Sequence, residues 1–174
     1  MPDPHSDLAP SAWVARFAPL VPPGGAVLDV AAGRGRHTRL FLERGHTVVA
    51  VDRDTKSLAD FKTSDRLQVV TADLEAAPWP FPGRQFAGVV VTNYLHRPLF
   101  PGLVQAVAPG SALIYETFAM GNARFGKPSN PDFLLQPGEL LEVVRGRLRI
   151  VAYEDLAVAE PRPAMIQRIA AVAP

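Results

Sequence analysis

The sequence predicts an α/β fold: a doubly wound, seven-stranded, mostly parallel sheet with a C-terminal antiparallel hairpin. Short apolar runs of strand length alternate with helical patterns along most of the chain. The end of the chain instead carries two β-rich runs, 148–158 and 164–172, joined through Glu160-Pro-Arg-Pro163, which is typical of a hairpin at a sheet edge. The length of 174 residues predicts a single domain over 1–174, with 1–10 as a mobile N-terminal arm.

Apolar runs and turn residues predict the order of the elements. An amphipathic helix is predicted at 11–20, where Ser11 is a suitable N-cap and Trp13, Val14 and Phe17 supply the apolar face. Alternating βα units then lead to the hairpin. Their strands are predicted at 26–30, 46–51, 67–71, 86–92 and 112–117, and their helices at 36–44, 54–61, 101–107 and 138–144.

Composition excludes several classes of function. A net charge of +1 gives no global reason to bind nucleic acid, and the absence of Cys excludes disulfides, thiolate metal sites and a cysteine nucleophile. The four His residues lack a metal-ligand spacing, so no metal is predicted. The N-terminus does not have the pattern of a signal peptide, and no apolar run approaches ~18 residues. We therefore expect a cytoplasmic protein that does not enter a membrane.

One segment, Ala-Val-Leu-Asp-Val-Ala-Ala-Gly-Arg-Gly-Arg-His over 26–37, is the most informative part of the chain. Its apolar residues suit a buried parallel strand with Asp29 near its end, and Gly33 and Gly35 permit positive φ and close approach of a ligand to the backbone. The helix that begins at Arg36 presents unpaired N–H groups and a positive dipole end. A ligand with a carboxylate and an ammonium on one carbon satisfies both the helix and Asp29. The segment therefore predicts a site for an amino-acid-bearing nucleotide.

Two further acids follow predicted strands. Asp52 closes the second strand about twenty residues after the first glycine, where α/β nucleotide folds place the carboxylate that binds both ribose hydroxyls. Asp73 follows the third strand and is suitably placed to accept from an adenine amino group. Three strand ends thus supply three acids to one ligand.

This series resembles the motifs of class I S-adenosylmethionine-dependent methyltransferases, and the Gly-Arg-His helix start is similar to small bacterial methyltransferases of the tellurite-resistance type. The resemblance runs from about Trp13 to the C-terminus and implies a Rossmann-like methyltransferase fold that binds S-adenosyl-L-methionine. By resemblance, the methionine end is held by Asp29 and the turn from Ala31 through Gly33 to Gly35, the ribose by Asp52, and the adenine by Asp73 with Leu74.

The resemblance has one departure and leaves alternatives open. Ala31 occupies the position of the family's usual first glycine, which is expected to tighten the pocket without abolishing it. Arg36 is a candidate for the methionine carboxylate, although a solvated place in the first helical turn is an equal alternative for both Arg36 and His37. A dinucleotide site is disfavoured because the branched Thr38 stands where close helix packing needs a small residue. Ordinary turn glycines and helix-capping acids are the remaining alternative.

The end of the fourth strand supplies the candidate catalytic residues. Methyl transfer from a sulfonium is an in-line displacement, so the acceptor must be held about 3 Å from the methyl group with water excluded. His96 is the first candidate for a base because imidazole titrates near neutral pH; a capping or exposed histidine is the alternative. Tyr94 and Asn93 are candidates to line the methyl channel, Asn93 also to contact the cofactor, although Tyr94 suits a core aromatic equally well.

The segment 118–135 has no regular pattern and carries phenylalanines, amides and charges of both signs. A loop of this length in a compact domain is usually functional or disordered, and we predict an acceptor-side lid, with a loop that braces the sheet edge as the alternative. Glu116 is either a substrate contact or the ion-pair partner of Arg97 or Arg124. The predicted substrate-binding residues are Glu116, Asn122, Phe125 and Asn130.

A small-molecule methyl acceptor is the first functional hypothesis. The Asn-Pro-Pro-Tyr-type signature of many amino-group methylases is absent, because the fourth strand ends in Thr-Asn-Tyr-Leu over 92–95. A protein or RNA acceptor is the second hypothesis, and a non-catalytic S-adenosylmethionine-binding regulatory protein is the third. The sequence leaves the acceptor, the methylated atom and the oligomeric state open.

Overall fold

A seven-stranded sheet with the strand order β3-β2-β1-β4-β5-β7-β6 organises the molecule. The computed structural model describes residues 9–61 and 64–174. All neighbouring strands pair in parallel from β3 through to β5, and β7 runs antiparallel to both β5 and β6. The strands are β1 (Ala26–Val30), β2 (Thr47–Asp52), β3 (Leu67–Thr71), β4 (Phe86–Thr92), β5 (Val107–Phe118), β6 (Arg149–Val158) and β7 (Ala164–Val172).

Helices cover both faces of the sheet. Parallel strands buried on both faces are apolar at successive positions, and β1 shows this: Val27 packs in the core on one face, and Leu28 and Val30 pack in the core on the other. The first face is covered by α1 (Ala12–Phe17) and α2 (Arg36–Glu43), the second by α3 (Phe100–Gln105) and α4 (Glu139–Val144). None of the described helices is long and apolar enough to cross a membrane.

The predicted fold class and the C-terminal antiparallel hairpin are confirmed, with local differences. Val107 belongs to β5 and not to the preceding helix, since it pairs with Phe86 of β4. Pro109 and Gly110 lie in the irregularity between this pair and the pair Gly88–Ala112. The segment predicted as a helix at 54–61 forms a 3-10 helix over Lys56–Phe61. Ser11 caps α1 as predicted, since its side chain accepts from the backbone N–H groups of Trp13 and Val14.

No helix joins β3 to β4 in the described part of the chain, although a regular βα alternation would place one there. Three prolines at alternate positions, Pro78, Pro80 and Pro82, remove backbone donors and prevent a helix. Trp79 and Phe81 lie between them and contact each other edge to face at 5.4 Å. The connection therefore covers the sheet with aromatic side chains.

The predicted N-terminal arm falls mostly outside the structure. Its residues 1–8 lie outside the described residues. Ala9 and Pro10 are described, and the Ala9 carbonyl accepts a hydrogen bond of 3.3 Å from the Arg36 guanidinium.

Candidate active site

Two residues with left-handed backbone mark the carboxyl ends of neighbouring strands. Ala31 follows β1 with a φ of 54°, and Asn93 follows β4 with a φ of 52°. These are the non-glycine residues with positive φ among those the structure describes. A left-handed conformation costs an L-residue about 1–2 kcal/mol, less for asparagine. Because β1 pairs directly with β4, this strain is concentrated at one point, as is common at functional sites.

Gly33 and Gly35 have different structural reasons to be glycine. Both have positive φ, 55° and 79°. A Cβ atom on Gly35 would lie 2.8 Å from side-chain atoms of both Leu58 and Phe61, whereas one on Gly33 would meet nothing within 4 Å. Gly35 is therefore required for packing, while Gly33 leaves open space beside the turn.

Asp29 is the buried acid under the turn. It is 2% exposed, and its carboxylate accepts a hydrogen bond of 2.7 Å from the Thr38 hydroxyl at the start of α2. Burial raises the pKa of Asp29 to about 6, against the lowering effect of its hydrogen bonds with Thr38. Thr38, which disfavoured a dinucleotide site on sequence grounds, thus connects β1 to α2.

Asp52 and Asp73 lie at the ends of β2 and β3 as predicted. The Asp52 carboxylate accepts from the Gly33 N–H at 2.9 Å and from the Asp54 N–H at 3.0 Å. Asp73 accepts from two backbone N–H groups of the following turn, 2.9 and 3.2 Å away. Each carboxylate oxygen has two lone pairs, so both acids keep acceptor capacity for a ligand.

These acids face a cavity of about 360 Å³, which we call the acidic cavity. It brings together four of the predicted cofactor residues, Ala31, Asp52, Asp73 and Leu74, and the candidate catalytic residue Tyr94. Three carboxylates and one guanidinium lie in its wall. Its lining residues are Ala31, Asp52, Arg53, Ala72, Asp73, Leu74, Glu75, Tyr94 and Phe133.

Tyr94 is half-buried at the wall of the acidic cavity. Burial, and then the negative charges of Glu75 and Asp73, raise the pKa of Tyr94 to about 12. Its phenol is thus neutral at pH 7. The Tyr94 carbonyl accepts a hydrogen bond of 2.7 Å from the hydroxyl of the buried Tyr115, which fixes this part of the backbone after β4.

A second cavity, of about 340 Å³, lies beside the end of β4 and adjoins a smaller one of about 190 Å³. They share Phe118, Arg162 and Ala164 in their walls, and we call the pair the basic groove. The larger cavity is lined by Ala9, Pro10, Ser11, Ala12, Arg36, Asn93, Glu116, Phe118, Val158, Glu160, Pro161, Arg162, Ala164, Ile166 and Arg168, and the smaller by Phe118, Asn122, Phe125, Lys127, Arg162, Pro163 and Ala164.

Glu116 occupies the floor of the basic groove, and its partner differs from the two considered in the sequence. One carboxylate oxygen accepts 2.6 Å from the Ser11 hydroxyl, and the other accepts 3.1 Å from Arg168. The expected alternatives, Arg97 and Arg124, are therefore wrong as ion-pair partners, because β7 intervenes and presents Arg168 directly opposite Glu116. Arg168 also pairs with Glu154 and stacks over the Trp13 ring at 4.7 Å.

His37 is buried, which corrects the solvated first-turn position considered for it. It is 3% exposed, and its Nε2 accepts 3.0 Å from the Ser11 N–H. The proton therefore resides on Nδ1, which donates to the Thr92 hydroxyl at 3.3 Å. Burial and the neighbouring Arg36 charge lower the pKa of His37 to about 3, so the imidazole is neutral. His37 joins α2, the end of β4 and the start of α1.

The segment 118–135 is closed at its base and exposed at its tip. Met120 N–H donates to the Leu135 carbonyl at 2.9 Å, and Leu135 N–H donates to the Phe118 carbonyl at 3.0 Å. Arg97 pairs with Glu139 at 2.6 Å and donates to the carbonyls at 132 and 134. These contacts brace the loop, as its alternative interpretation supposed, while its phenylalanines line both the acidic cavity and the basic groove.

The amides of this loop serve its own structure. Asn122 is 1% exposed, donates to the Pro128 carbonyl, accepts from the Met165 N–H and lines the smaller cavity of the groove. Its predicted substrate contact stays a prediction. Asn130 caps the turn at Asp132 and lines neither cavity system. Phe125 is exposed in the smaller cavity of the groove, with the Arg124 guanidinium over its ring.

His96 is separated from the lining of both cavity systems. It is half-buried and precedes a 3-10 turn at Arg97–Leu99, where its carbonyl accepts from the Leu99 N–H. The described residues that line the two cavity systems include Asn93 and Tyr94 but not His96. Its catalytic role stays a prediction.

Sequence reasoning missed most of the groove. Ser11 was identified only as an N-cap, and Arg162 and Arg168 were not singled out, because nothing local distinguishes them from surface arginines. The available signals were weak: the Glu-Pro-Arg-Pro turn at 160–163, and an arginine that follows Gln167 within the largely apolar β7.

Comparisons with known proteins agree with this geometry. Residues 27–109 match a family model described as a methyltransferase domain. Ribosomal RNA small subunit methyltransferase H of Nostoc punctiforme is 39% identical over 79 residues, which is 40% of this chain and 25% of that protein. TehB from Haemophilus influenzae has a TM-score of 0.75 at 17% identity, over 92% of this chain and 61% of TehB.

A third similar protein was crystallised with ligands. The 1,6-didemethyltoxoflavin-N1-methyltransferase of Burkholderia thailandensis, with 1,6-didemethyltoxoflavin and S-adenosylhomocysteine bound, has a TM-score of 0.69 at 21% identity, over 97% of this chain and 79% of that one. The present chain spans about a quarter of the length of the ribosomal RNA methyltransferase and about three fifths of TehB. Residues 27–109 thus match a methyltransferase domain, and the strand order agrees with the Rossmann-like fold of the similar methyltransferase structures.

Proposed function

We propose that this protein transfers a methyl group from S-adenosylmethionine, held in the acidic cavity, to a small molecule held in the basic groove. The observation that carries the proposal is the placement of the two cavity systems on either side of the end of β4. Asn93 lines the groove and the adjacent Tyr94 lines the acidic cavity. In open α/β sheets, ligands bind at this edge of the sheet, where the strand order reverses.

The residues of the acidic cavity fit the proposed cofactor. A nucleoside offers ribose hydroxyls as donors, and Asp52 has lone pairs left to accept them. Asp73 is available to the adenine amino group, with the buried Leu74 and the Tyr94 ring as apolar surfaces for the base. The carboxylates also favour a ligand that carries a sulfonium cation.

The methionine end fits the start of α2. Gly33 leaves open space at the turn, and the first N–H groups of α2 carry a partial positive charge that attracts a carboxylate. Arg36 adds a full positive charge in the wall of the groove. Asp29, which lines neither cavity system, is proposed to act through the turn that it supports and by attraction of the ammonium group.

The chemistry requires positioning more than acid–base catalysis. When bound, the cofactor would supply a methyl group: the acceptor lone pair would form the new bond to the methyl carbon while the carbon–sulfur bond breaks, and the electrons of that bond would stay on sulfur as a neutral thioether. This chain must align the acceptor and exclude water. We propose that the neutral Tyr94 phenol and the Asn93 amide line the passage between the two ligands. His96 is proposed as an accessory base only for acceptors that must lose a proton.

The size of the groove favours a small acceptor. Its larger cavity, of about 340 Å³, lies within the range of ordinary small-molecule sites and is bordered by the start of α1 and by the β6–β7 turn. The smaller cavity, of about 190 Å³, adds space beside it. An RNA acceptor is the second candidate, supported by the identity with the ribosomal RNA methyltransferase over 79 residues. The modest net charge of +1 weighs against it.

Calorimetric titration of the full chain with S-adenosylmethionine, S-adenosylhomocysteine and NAD tests the cofactor. We expect both sulfur ligands to bind and NAD to bind far more weakly; comparable or preferential binding of NAD would refute the proposal. Release of S-adenosylhomocysteine is then measured with a panel of small acceptors and with ribosomal RNA. Turnover only with RNA would replace the small-molecule acceptor by the second candidate. Cofactor binding without turnover on either panel would favour a non-catalytic regulatory protein.

A further inference from the structure

We propose that the acceptor is an apolar or aromatic molecule that carries an anionic group, and that Arg162 and Lys127 bind this group. The inference rests on the proposed function, because it names the class of molecule that occupies the basic groove. It is based on which charges in the groove are already neutralised within the protein and which remain available.

The charges on the floor of the groove are already paired. Glu116 binds Arg168 and Ser11, and Arg168 also binds Glu154 and covers the Trp13 ring. The side chains of Glu116 and Arg168 are 14% and 21% exposed, so a ligand would have to displace these buried partners to reach either charge. The floor is therefore a fixed, internally neutralised surface.

The charges at the outer wall are unpaired. Arg162 is in the β6–β7 turn and Lys127 is in the loop 118–135; both are exposed, and neither forms an ion pair within the described part of the chain. Both line the smaller cavity, and Arg162 also lines the larger one. Two cations from different loops thus line the same small cavity.

Glu160 places a negative charge in the same cavity as Arg162. It lines the larger cavity together with Arg162, whereas no carboxylate lines the smaller cavity. The smaller cavity therefore has two cations and no acid in its lining. An anionic group on the ligand is favoured there by Coulomb attraction to both cations, and guanidinium groups bind carboxylate and phosphate with two hydrogen bonds.

The rest of the groove is apolar. Phe118 and Ala164 lie in the walls of both cavities, Ile166 lines the larger cavity, and Phe125 lines the smaller one. Such surfaces suit an aliphatic or aromatic body that extends from the anion toward Asn93, where the groove reaches the end of β4. The acceptor atom would thus lie at the end of the molecule opposite its anionic group.

Matched probes test the charge preference. We would titrate the protein, saturated with S-adenosylhomocysteine, with 4-hydroxyphenylacetate, 4-hydroxyphenylacetamide and phenyl phosphate, and measure dissociation constants by calorimetry. We expect at least one of the two anions to bind about tenfold more tightly than the amide, with a preference that weakens as salt rises. Equal affinity for anion and amide, or no binding of either anion, would overturn the inference.

Variants locate the effect. Arg162→Gln and Lys127→Gln should each reduce the anion preference several-fold, and the double variant should abolish it. Arg147→Gln, an exposed arginine in the turn before β6, is the matched control and should change nothing. Retention of the preference in the double variant would also refute the assignment. Cofactor binding is measured in the same samples. If the wild-type protein does not bind S-adenosylhomocysteine, the proposed function is refuted. If it binds S-adenosylhomocysteine but shows no preference for the anions, only this inference is refuted.

Discussion

The acidic cavity and the basic groove differ in charge and in how they are built. In the acidic cavity three carboxylates, Asp52, Asp73 and Glu75, face one guanidinium, and most of the wall comes from residues directly after β1, β2, β3 and β4. The lining of the groove contains more cations than acids. It combines the start of α1, the ends of β4 and β5, and the turn between β6 and β7.

The geometry of the two regions therefore depends on different interactions. A site made at consecutive strand ends has its geometry set by the hydrogen bonds of the sheet, which pair Val30 with Val51 directly before Asp52. A site made from loops and termini depends on side-chain pairs such as Glu116–Arg168. Substitutions in the two regions should therefore have separable effects on cofactor and acceptor.

The largest effect is expected for Asp52→Ala. Hydrogen bonds to a charged group contribute about 1.5–3 kcal/mol each, so the loss of two ribose contacts should weaken S-adenosylhomocysteine binding by about tenfold or more. Calorimetry measures the affinity, and circular dichroism checks the fold. Asp65→Ala, an exposed acid before β3, is the control. Unchanged affinity in a folded Asp52 variant would remove this residue from the cofactor site.

Gly35→Ala should lower stability by about 2–4 kcal/mol, because it adds left-handed backbone strain to contacts of 2.8 Å with Leu58 and Phe61. Gly33→Ala is the comparison, since it adds the same backbone cost without the contacts. Urea denaturation measures both. Equal losses in the two variants would show that packing at Gly35 is not the cause.

Glu116→Ala should act on the groove and leave the acidic cavity intact. Removal of the carboxylate leaves the Ser11 hydroxyl without its acceptor and Arg168 with Glu154 as its remaining acidic partner, at a cost of about 1–3 kcal/mol in stability. We expect unchanged S-adenosylhomocysteine affinity together with altered binding of groove ligands. A drop in cofactor affinity as large as that of Asp52→Ala would show that the two regions are not separable.

The pH dependence of stability should reveal two buried titratable groups, Asp29 in β1 and His37 in α2. Folding lowers the pKa of His37 from 6.5 to about 3, so its contribution is present above pH 6.5 and is lost as pH falls. Folding raises the pKa of Asp29 from 3.8 to about 6, so its contribution is present at low pH and is lost as pH rises. Between pH 4 and 6 the two effects oppose each other.

Asp29→Asn removes one of these opposing contributions. Relative to the wild type, the variant should lose stability as pH falls from 6 to 4, by up to about 1.4 kcal/mol per pH unit. Denaturation at a series of pH values measures the difference. A difference that does not vary with pH would show that Asp29 titrates normally in the folded protein.

The smallest effect is expected for Ala31→Gly. Glycine removes the cost of the left-handed conformation but adds entropy to the unfolded chain. The free energy of unfolding should therefore rise by a net of about 0.5–1 kcal/mol. A thermal melt measures it, with Ala76→Gly, at an exposed alanine outside the helices and strands, as the control. A loss of stability at position 31 would contradict the argument that this residue is strained.

Local sequence identified the acidic cavity because its chemistry is local. Asp29, Gly33 and Gly35 lie within one strand–turn–helix unit, and Asp52 and Asp73 each follow a recognisable apolar run. Once parallel strands are predicted, their carboxyl ends must meet at one edge, so the acids converge without further information. The fold class and the terminal hairpin followed from the same periodicity.

Tertiary structure alone decided the basic groove and its partners. Glu116 and Arg168 are 52 residues apart in the chain, Ser11 and His37 are 26 apart, and Arg97 reaches Glu139 across 42. No local pattern specifies such pairs, because a buried ion pair or a neutral histidine depends on which elements pack together and on the water they exclude. The sequence by itself determined where a nucleotide cofactor would be held; the folded chain determined which charges remain available beside it.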